Sequence, residues 1–270
     1  MIQAMNYTAL IILACIFIPL ERLFPQHRGQ PILRKGWLSD LVYLLVNGWI
    51  VRFMTLAVIA GVMAGFGMAT GGESLTGADH WPLAVQVVAV TVVADLGYYT
   101  AHRLSHHVPF LWRFHSVHHS SEQLDWLATY RVHFIDQTFT NCLSLLPVFF
   151  LGFSVQAVAI FALIYQAQAM LIHSNVRLRF GPLKWVFASP EYHHWHHANR
   201  REAYDRNFAA QLSIIDLLAG TMFLPRGQHP DRYGVDDPVP PQFHQQLLYP
   251  FRAAPAARAP AEDMPHEPEG

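Results

Sequence analysis

The chain has 270 residues, of which 52% are hydrophobic and only 14% are charged. Soluble domains carry about 25% charged residues, so this composition argues against an ordinary soluble protein and favours one embedded in a bilayer. The net charge of −1 gives no electrostatic basis for binding nucleic acid, and the two cysteines are too few to hold an iron–sulfur cluster.

Three apolar stretches in the first hundred residues predict membrane-spanning helices. The first, residues 1–20, holds no charged residue, and the second covers about residues 41–69. The third, residues 81–101, is interrupted only by Asp95. Each has about twenty residues or more, enough to span a bilayer at about 1.5 Å per residue. The first lacks a basic start and a small-residue cleavage site, so we expect an uncleaved helix and not a signal peptide.

A fourth apolar stretch, about residues 138–173, is broken near Gly152. It is too long for one span, so it predicts a hairpin of two short helices that either re-enters or fully crosses the membrane. A shorter apolar segment, residues 208–224, carries Asp216 and is expected at the interface or against the soluble cap.

The predicted fold class is therefore all-α. We expect an integral membrane helical bundle of about four spans, counting the hairpin as one unit, with a cytosolic histidine-rich helical cap. A single domain covers residues 1–252, and the tail of Ala, Pro and Glu, residues 253–270, is expected to be disordered.

Lysine and arginine placement predicts the orientation of the spans. The segment after the first span holds four cationic residues, whereas residues 70–80 hold none. Because cytosolic loops carry the excess of positive charge, the N-terminus is predicted outside and the histidine-rich segments in the cytosol. We expect the protein in a bacterial inner membrane.

Histidine is the unusual residue of this chain. There are 17 histidines, nearly as many as the 18 lysines and arginines together. Most of the histidines are bunched into a few short segments. Residues three and four apart share one face of a helix, and eight of these histidines form a pair and two triplets with that spacing. Neutral imidazole suits iron, zinc, copper and nickel. The candidate ligands are one pair, two triplets and one isolated residue: His102 and His106; His115, His118 and His119; His193, His196 and His197; and His173.

Nine histidines exceed the four to six ligands of one metal ion, so the pattern predicts two metals. For the segments to meet, His119 and His173 must lie on the same side of the membrane, and the predicted hairpin between them returns the chain to that side. His107 and His194 lie one residue off the shared faces, so we expect them behind the ligands or at the surface. Asp95 lies seven residues before His102, and because buried carboxylates in membranes are costly it is expected to accept a hydrogen bond from a ligand histidine.

These motifs, in this order over about residues 95–225, resemble the membrane fatty acid hydroxylase and sterol desaturase superfamily. The segments that carry the resemblance are Asp95-Leu-Gly-Tyr-Tyr-Thr-Ala-His102-Arg103, His115-Ser-Val-His118-His119-Ser120, His173-Ser-Asn175, Pro190-Glu-Tyr-His193-His-Trp-His196-His197, Asp205-Arg-Asn207-Phe and Asp216-Leu-Leu-Ala-Gly220-Thr221. The resemblance implies a non-haem di-iron site on the nine histidines. The residues expected to support the ligands are Asp95, His133, Asn175, His194 and Asp216. The segment at His133 departs from the family, whose members often have proline after this histidine.

The resemblance further implies an oxidoreductase that uses O2 and two iron ions, which zinc can replace in recombinant protein, to hydroxylate a C–H bond of a lipid. Desaturation at the same site remains an alternative. No flavin motif or CxxC is present, so electrons are expected from a separate donor, a ferredoxin or a cytochrome b5-like protein with its reductase. The lipid could be a sterol, fatty acyl chain, ornithine lipid, carotenoid or ether lipid.

Two readings from other classes fit less well. A membrane haem protein that carries electrons uses paired histidines deep within separate spans, whereas here the histidines crowd the ends of the spans. A metal-storage or transport protein predicts polar ligands along the bilayer midplane, where only Asp95 comes near.

Overall fold

The computed structural model describes residues 7–252, so the predictions for residues 1–6 and for the tail, residues 253–270, fall outside the described residues. Within residues 7–252 the elements are helices, with two isolated bridges and no strand, which confirms the all-α prediction. The helices are α1 (Tyr7–Leu23), α2 (Trp37–Val42), α3 (Gly48–Thr70), α4 (Leu83–His107), α5 (Pro109–His119), α6 (Phe134–Leu151), α7 (Val155–His173), α8 (Pro190–His196), α9 (Ile214–Ala219) and α10 (Phe243–Arg252).

Four helical segments of the described residues are long and apolar enough to cross a membrane. They are α4, α6, α7 and the 34-residue segment Trp37–Thr70, in which a π-helical turn joins α2 to α3. Both arms of the predicted hairpin therefore qualify as spans, and α6 ends at Leu151, directly before Gly152, whose φ is 77°. The first predicted span corresponds to α1, which has 17 residues and is shorter than these four.

Helices α4 and α6 pack closely because glycine lies between them. A Cβ atom at Gly97 would overlap the carbonyl oxygen of Leu143, so only glycine permits this approach. One turn away, the Ser144 hydroxyl donates a hydrogen bond of 2.6 Å to the carbonyl oxygen of Ala94. The close contact sets the position of α4 relative to the hairpin.

The two ends of the bundle differ. At one end the hairpin turn meets the segment after α3, where the Leu75 amide donates to the Phe150 oxygen at 2.9 Å and the Thr76 hydroxyl donates to the Leu151 oxygen at 2.6 Å. At the other end the last residues of α4 and α7 meet α5 and α8, so that Nε2 of His118 and Nε2 of His173 are 3.2 Å apart. This confirms that the hairpin returns the chain to the side of His119.

The apolar segment at residues 208–224 packs against the histidine-bearing end of α4. Phe208 is completely buried with Tyr99 and Ile215, whereas Leu218 on the outer face of α9 is 82% exposed. The segment is therefore part of the cap, one of the two placements that the sequence allowed.

Candidate metal centre

The nine predicted ligands gather into two buried groups. Within each group the candidate ligand atoms all lie within 4.8 Å of one another. The first group is His102, His106, His115, His119 and His196, and the second is His118, His173, His193 and His197. No cysteine or carboxylate among the described residues joins either group.

The local helices explain how adjacent histidines separate into two groups. Pro109 and Pro190 occupy the first turns of α5 and α8, where a missing N–H costs nothing. Each of these short helices carries one triplet, and each triplet is divided between the groups. In α5, His118 belongs to the second group while its two partners belong to the first; in α8, His196 belongs to the first. The triplets therefore point at two positions a few ångströms apart.

Hydrogen bonds assign the protonated nitrogen of several imidazoles. A backbone carbonyl oxygen only accepts, so a ring nitrogen bonded to it carries the proton. Four histidines donate from Nδ1 to carbonyl oxygens in this way, and the pairs are His102 with Phe208 (2.7 Å), His118 with Arg131 (3.0 Å), His173 with Ala169 (2.7 Å) and His196 with Arg206 (2.8 Å). In each of these neutral rings Nε2 is therefore unprotonated and carries a lone pair.

These lone pairs face other nitrogens inside the groups. Nε2 of His118 and Nε2 of His173 lie 3.2 Å apart, and neither carries a proton. Nε2 of His102 similarly lies 3.0 Å from Nε2 of His115, whose Nδ1 is 2.9 Å from the Asp136 carboxylate. Opposed lone pairs repel, and a cation shared between them removes the repulsion. The all-imidazole donor sets therefore fit two transition-metal ions, one to each group.

Burial keeps the imidazoles neutral. It lowers the pKa of His118, His119, His193 and His197 well below the ordinary 6.5, and neighbouring imidazoles lower it further. A metal binds only the unprotonated imidazole, so these side chains are ready to bind at neutral pH.

Asp95 has different partners from the one expected. Its carboxylate accepts from the backbone amides of Ala210, Gln211 and Leu212, at 2.7–3.2 Å, and not from a ligand histidine. Seven residues place it about 10.5 Å along α4 from His102, beside the chain that enters α9. The prediction of a direct contact with a ligand is therefore corrected.

Asp216 binds the backbone amides that directly precede those bound by Asp95. Its two oxygens accept from the amides of Phe208 and Ala209, both at 2.8 Å, and from the Tyr192 hydroxyl. Two buried carboxylates thus bind five consecutive amides, those of residues 208–212. Because the Phe208 oxygen accepts from His102, Asp216 and Asp95 orient that ligand through the backbone.

Three histidines of the first group have hydrogen-bonding partners in the segment 205–208. Asp205 Oδ1 lies 3.3 Å from Nδ1 of His106, and the carbonyl oxygens of Arg206 and Phe208 accept from His196 and His102. Asp205 and Asn207 have φ of 57° and 60°, a left-handed conformation uncommon outside glycine. This backbone turns three acceptors within four residues toward the cage, the name used from here on for the two histidine groups together.

Two other residues predicted to support the ligands, His133 and Asn175, make no hydrogen bond to a histidine of either group. His133 accepts from the Ile135 amide at 3.2 Å and donates to the Leu247 oxygen at 3.2 Å, so it caps α6 and hydrogen-bonds no ligand histidine. The amides at a helix start need an acceptor, and His133 directly precedes α6. Asn175 binds both backbone groups of His27, at 2.8 and 3.1 Å.

His194 and His107 both lie outside the two groups. His194 lies behind the cage, bonded to the Ser174 oxygen at 3.0 Å and to the Tyr233 hydroxyl at 2.8 Å, and burial lowers its pKa to about 3. His107 is exposed on the end of α4.

Sequence reasoning missed Asp136 and Asp205. Asp136 is buried at the start of α6, where it accepts from Nδ1 of His115 and from the Ser105 hydroxyl at 3.4 Å. Asp136 could have been identified in the same way as Asp95, because burying a carboxylate beside an apolar run costs free energy and such a residue is usually functional. Asp205 lies in a polar loop, and it entered the family resemblance only as part of the motif Asp205-Arg-Asn207-Phe, with no role assigned to it.

A cavity of about 50 Å³ lies under the two histidine groups. Two histidines of each group line it, His102 and His115 of the first and His118 and His173 of the second. It continues between α4, α6 and α7 as far as Tyr98 and Tyr165. A molecule in this cavity would therefore reach both proposed metal positions.

The model of the fatty acid hydroxylase family matches residues 87–221, half of the 270 residues. The ornithine lipid hydroxylase OlsE of Rhizobium tropici is 38% identical over 173 residues, 64% of this chain and 52% of that protein. An alkylglycerol monooxygenase of Xenopus tropicalis is 36% identical over 146 residues, 54% of this chain and 32% of that protein. The human alkylglycerol monooxygenase is 37% identical over 129 residues, 47% of this chain and 28% of that protein. The chain thus spans about half the length of these relatives or less, and no solved structure matches it.

Proposed function

Because the chain belongs to the fatty acid hydroxylase family, we propose that it is an integral membrane di-iron oxygenase that hydroxylates a C–H bond of a lipid. The observation that carries this proposal is the pair of all-histidine groups opening on one cavity between candidate membrane spans. The nine histidines would hold the two iron ions.

The proposed reaction inserts one oxygen atom of O2 into a C–H bond and reduces the other to water with two electrons and two protons. Two bound iron ions would supply the activation of O2. The residues of the chain keep the imidazoles neutral, aim each Nε2 through its Nδ1 partner and bury the cage away from bulk water. The electrons come from a separate donor, a ferredoxin or a cytochrome b5-like protein with its reductase.

Two observations favour a hydroxylase over the desaturase and haem-protein alternatives. The relatives reported above are named as a hydroxylase and as monooxygenases, which favours oxygen insertion over desaturation. A haem iron takes at most two axial histidines, whereas each group here gathers four or five imidazoles. An electron-carrying haem protein is therefore disfavoured.

The location is proposed from the charge pattern. The histidine-bearing end of the bundle is also the end at which α1 finishes, since the Glu21 carboxylate accepts from the amides of Trp126 and Asn175. The arginines that follow α1 support a cytosolic position for this end. We further propose that the protein lies in a bacterial inner membrane.

The test is metal content in detergent-purified protein beside the double variant His118→Ala/His196→Ala, which removes one ligand from each group. About two iron ions per chain, or two zinc ions after overexpression, are expected in the parent and are lost in the variant. Exposed His107→Ala is the control and should retain both. Metal well below one ion per chain in folded protein never exposed to a chelator would overturn the proposal.

A further inference from the structure

The cavity under the cage is lined by polar side chains of three candidate membrane spans. We propose that it receives the neutral hydrogen-bonding part of a lipid, an amide or hydroxyl group, so that oxygen is added to a carbon near that group and not within a long hydrocarbon chain. This inference rests on the proposed function, because it names which lipids the same site accepts.

Polar residues from three candidate spans line the cavity. They are Tyr98 of α4, Gln137, Thr140 and Asn141 of α6, and Tyr165 and Gln166 of α7. Farther from the cage the same three helices pack with apolar side chains, among them Val90, Val148 and Phe161. Polar groups within a membrane span are costly, so their concentration beside the cage indicates a polar ligand.

The hydrogen bonds among these residues leave acceptors for a ligand. The Gln137 amide donates to Asn141 Oδ1 at 2.9 Å, and the Gln166 amide donates to the Tyr130 hydroxyl at 3.1 Å. No residue in the described range 7–252 donates to the side-chain oxygen of either glutamine. Each oxygen can therefore accept an N–H or O–H from a molecule in the cavity.

The charged residues in the cavity wall restrict the chemical class of the ligand further. No lysine or arginine of the described residues lines the cavity, so a phosphate or free carboxylate would find no counter-charge at the part of the wall away from the proposed metal positions. The only carboxylate in the lining, Asp136, is already bonded to His115 and Ser105. A neutral amide or hydroxyl matches this wall.

The spacing along the helices limits the distance between the polar group and the reacting carbon. At about 1.5 Å per residue, Tyr98 lies about 6 Å from the level of His102, and Gln166 about 10.5 Å from that of His173. An extended chain advances about 3.5 Å per three bonds. The oxidised carbon therefore lies within about nine bonds of the amide or hydroxyl.

The first experiment uses iron-loaded full chain, a chemical or protein reductant and ¹⁸O2, with mixed vesicles. The vesicles hold an N-acyl ethanolamine, a neutral amide lipid, with a 16-carbon acyl chain, together with a diacyl phospholipid and hexadecane. Tandem mass spectrometry is expected to place ¹⁸O in the amide lipid within about nine bonds of the amide. Label near the methyl end of an acyl chain, or equal labelling of hexadecane, would overturn the inference while leaving lipid hydroxylation intact. Iron-loaded protein that labels none of the lipids would instead contradict the proposed function.

A second experiment separates recognition from folding. The double variant Gln137→Leu/Gln166→Leu is compared with Gln156→Leu, which changes an exposed glutamine of α7 outside the cavity. Native mass spectrometry under anaerobic conditions measures retention of the amide lipid, and elemental analysis measures iron. The double variant should bind the amide lipid at least about tenfold more weakly with two irons retained, because its wall no longer accepts the hydrogen bond. Unchanged binding, or equal loss of amide lipid and hexadecane, would overturn the inference.

Discussion

Nε2 of His118 and Nε2 of His173 face each other at 3.2 Å, although 55 residues separate them along the chain. The Nδ1 atom of His118 donates to the Arg131 oxygen, and that of His173 donates to the Ala169 oxygen. Both Nε2 atoms are therefore unprotonated and carry lone pairs. Two such atoms cannot share a hydrogen bond. The arrangement is stabilised when one cation binds both nitrogens.

Removing one ligand of the second group should remove one metal. His193→Ala takes away an imidazole that lies 2.9 Å from His173 and 3.1 Å from His197, whereas the five histidines of the first group stay in place. Elemental analysis should find the metal content falling from about two ions per chain to about one. Retention of both ions would show that His193 is not a ligand.

Replacing Asp136 should weaken the metals without removing a ligand. In Asp136→Leu, Nδ1 of His115 loses its charged acceptor, so the ring is no longer held in its orientation. Loss of such a supporting carboxylate lowers metal affinity by about 10- to 100-fold. Competition with a coloured chelator measures this change. Asp79→Asn, at the opposite end of the bundle, is the matched control and should behave as the parent.

Asp216→Ala should destabilise the cap. The substitution leaves the buried amides of Phe208 and Ala209 without their acceptor, a change that costs about 1–3 kcal/mol per unsatisfied group. Thermal unfolding in detergent should show a clearly lower midpoint, with metal loss preceding unfolding because His102 is released. Asp231→Ala, at an exposed site, serves as control. An unchanged midpoint in Asp216→Ala would contradict the role assigned to residues 208–212.

Gly97→Ala should separate α4 from α6. The added methyl group overlaps the Leu143 carbonyl oxygen, which is backbone and cannot rotate away, and overpacking of this kind costs about 1–3 kcal/mol. The matched control is Gly61→Ala in α3, where a Cβ atom meets nothing within 4 Å. Alanine is the better helix former, so the control should be neutral or slightly more stable. Equal midpoints for the two variants would contradict the close packing.

Acid should destabilise the metal-free protein. Burial lowers the pKa of His118, His119, His193 and His197 in the folded state below the ordinary 6.5 of the unfolded chain. Below pH 6.5 the unfolded chain therefore binds more protons than the folded one, and stability falls as the pH decreases. Unfolding midpoints of chelator-treated protein between pH 8 and pH 5 test this. A midpoint that rises toward pH 5 would contradict the sign.

Several features were readable from the sequence because they depend on local spacing. Hydropathy and length predicted the candidate spans and the break at Gly152, since a chain in lipid must satisfy its backbone hydrogen bonds within each helix. The spacing of three and four residues identified eight of the nine histidines that the structure brings together, and His173 was predicted as an isolated ligand. The order of the motifs identified the family.

Other features depend on how distant segments meet. Spacing on one helix could not divide His118 from His119, because the division depends on which neighbouring helix each ring faces. The acceptors for His102 and His196 come from residues 206–208, and Asp95 meets the amides of residues 210–212 and not a ligand, because the loop after α8 folds back over α4. A linear sequence records which side chains can bind a metal; the partition of the ligands, their orientation and the polar cavity arise only where separate helices pack, since hydrogen bonds and close contacts act over a few ångströms of space and not along the chain.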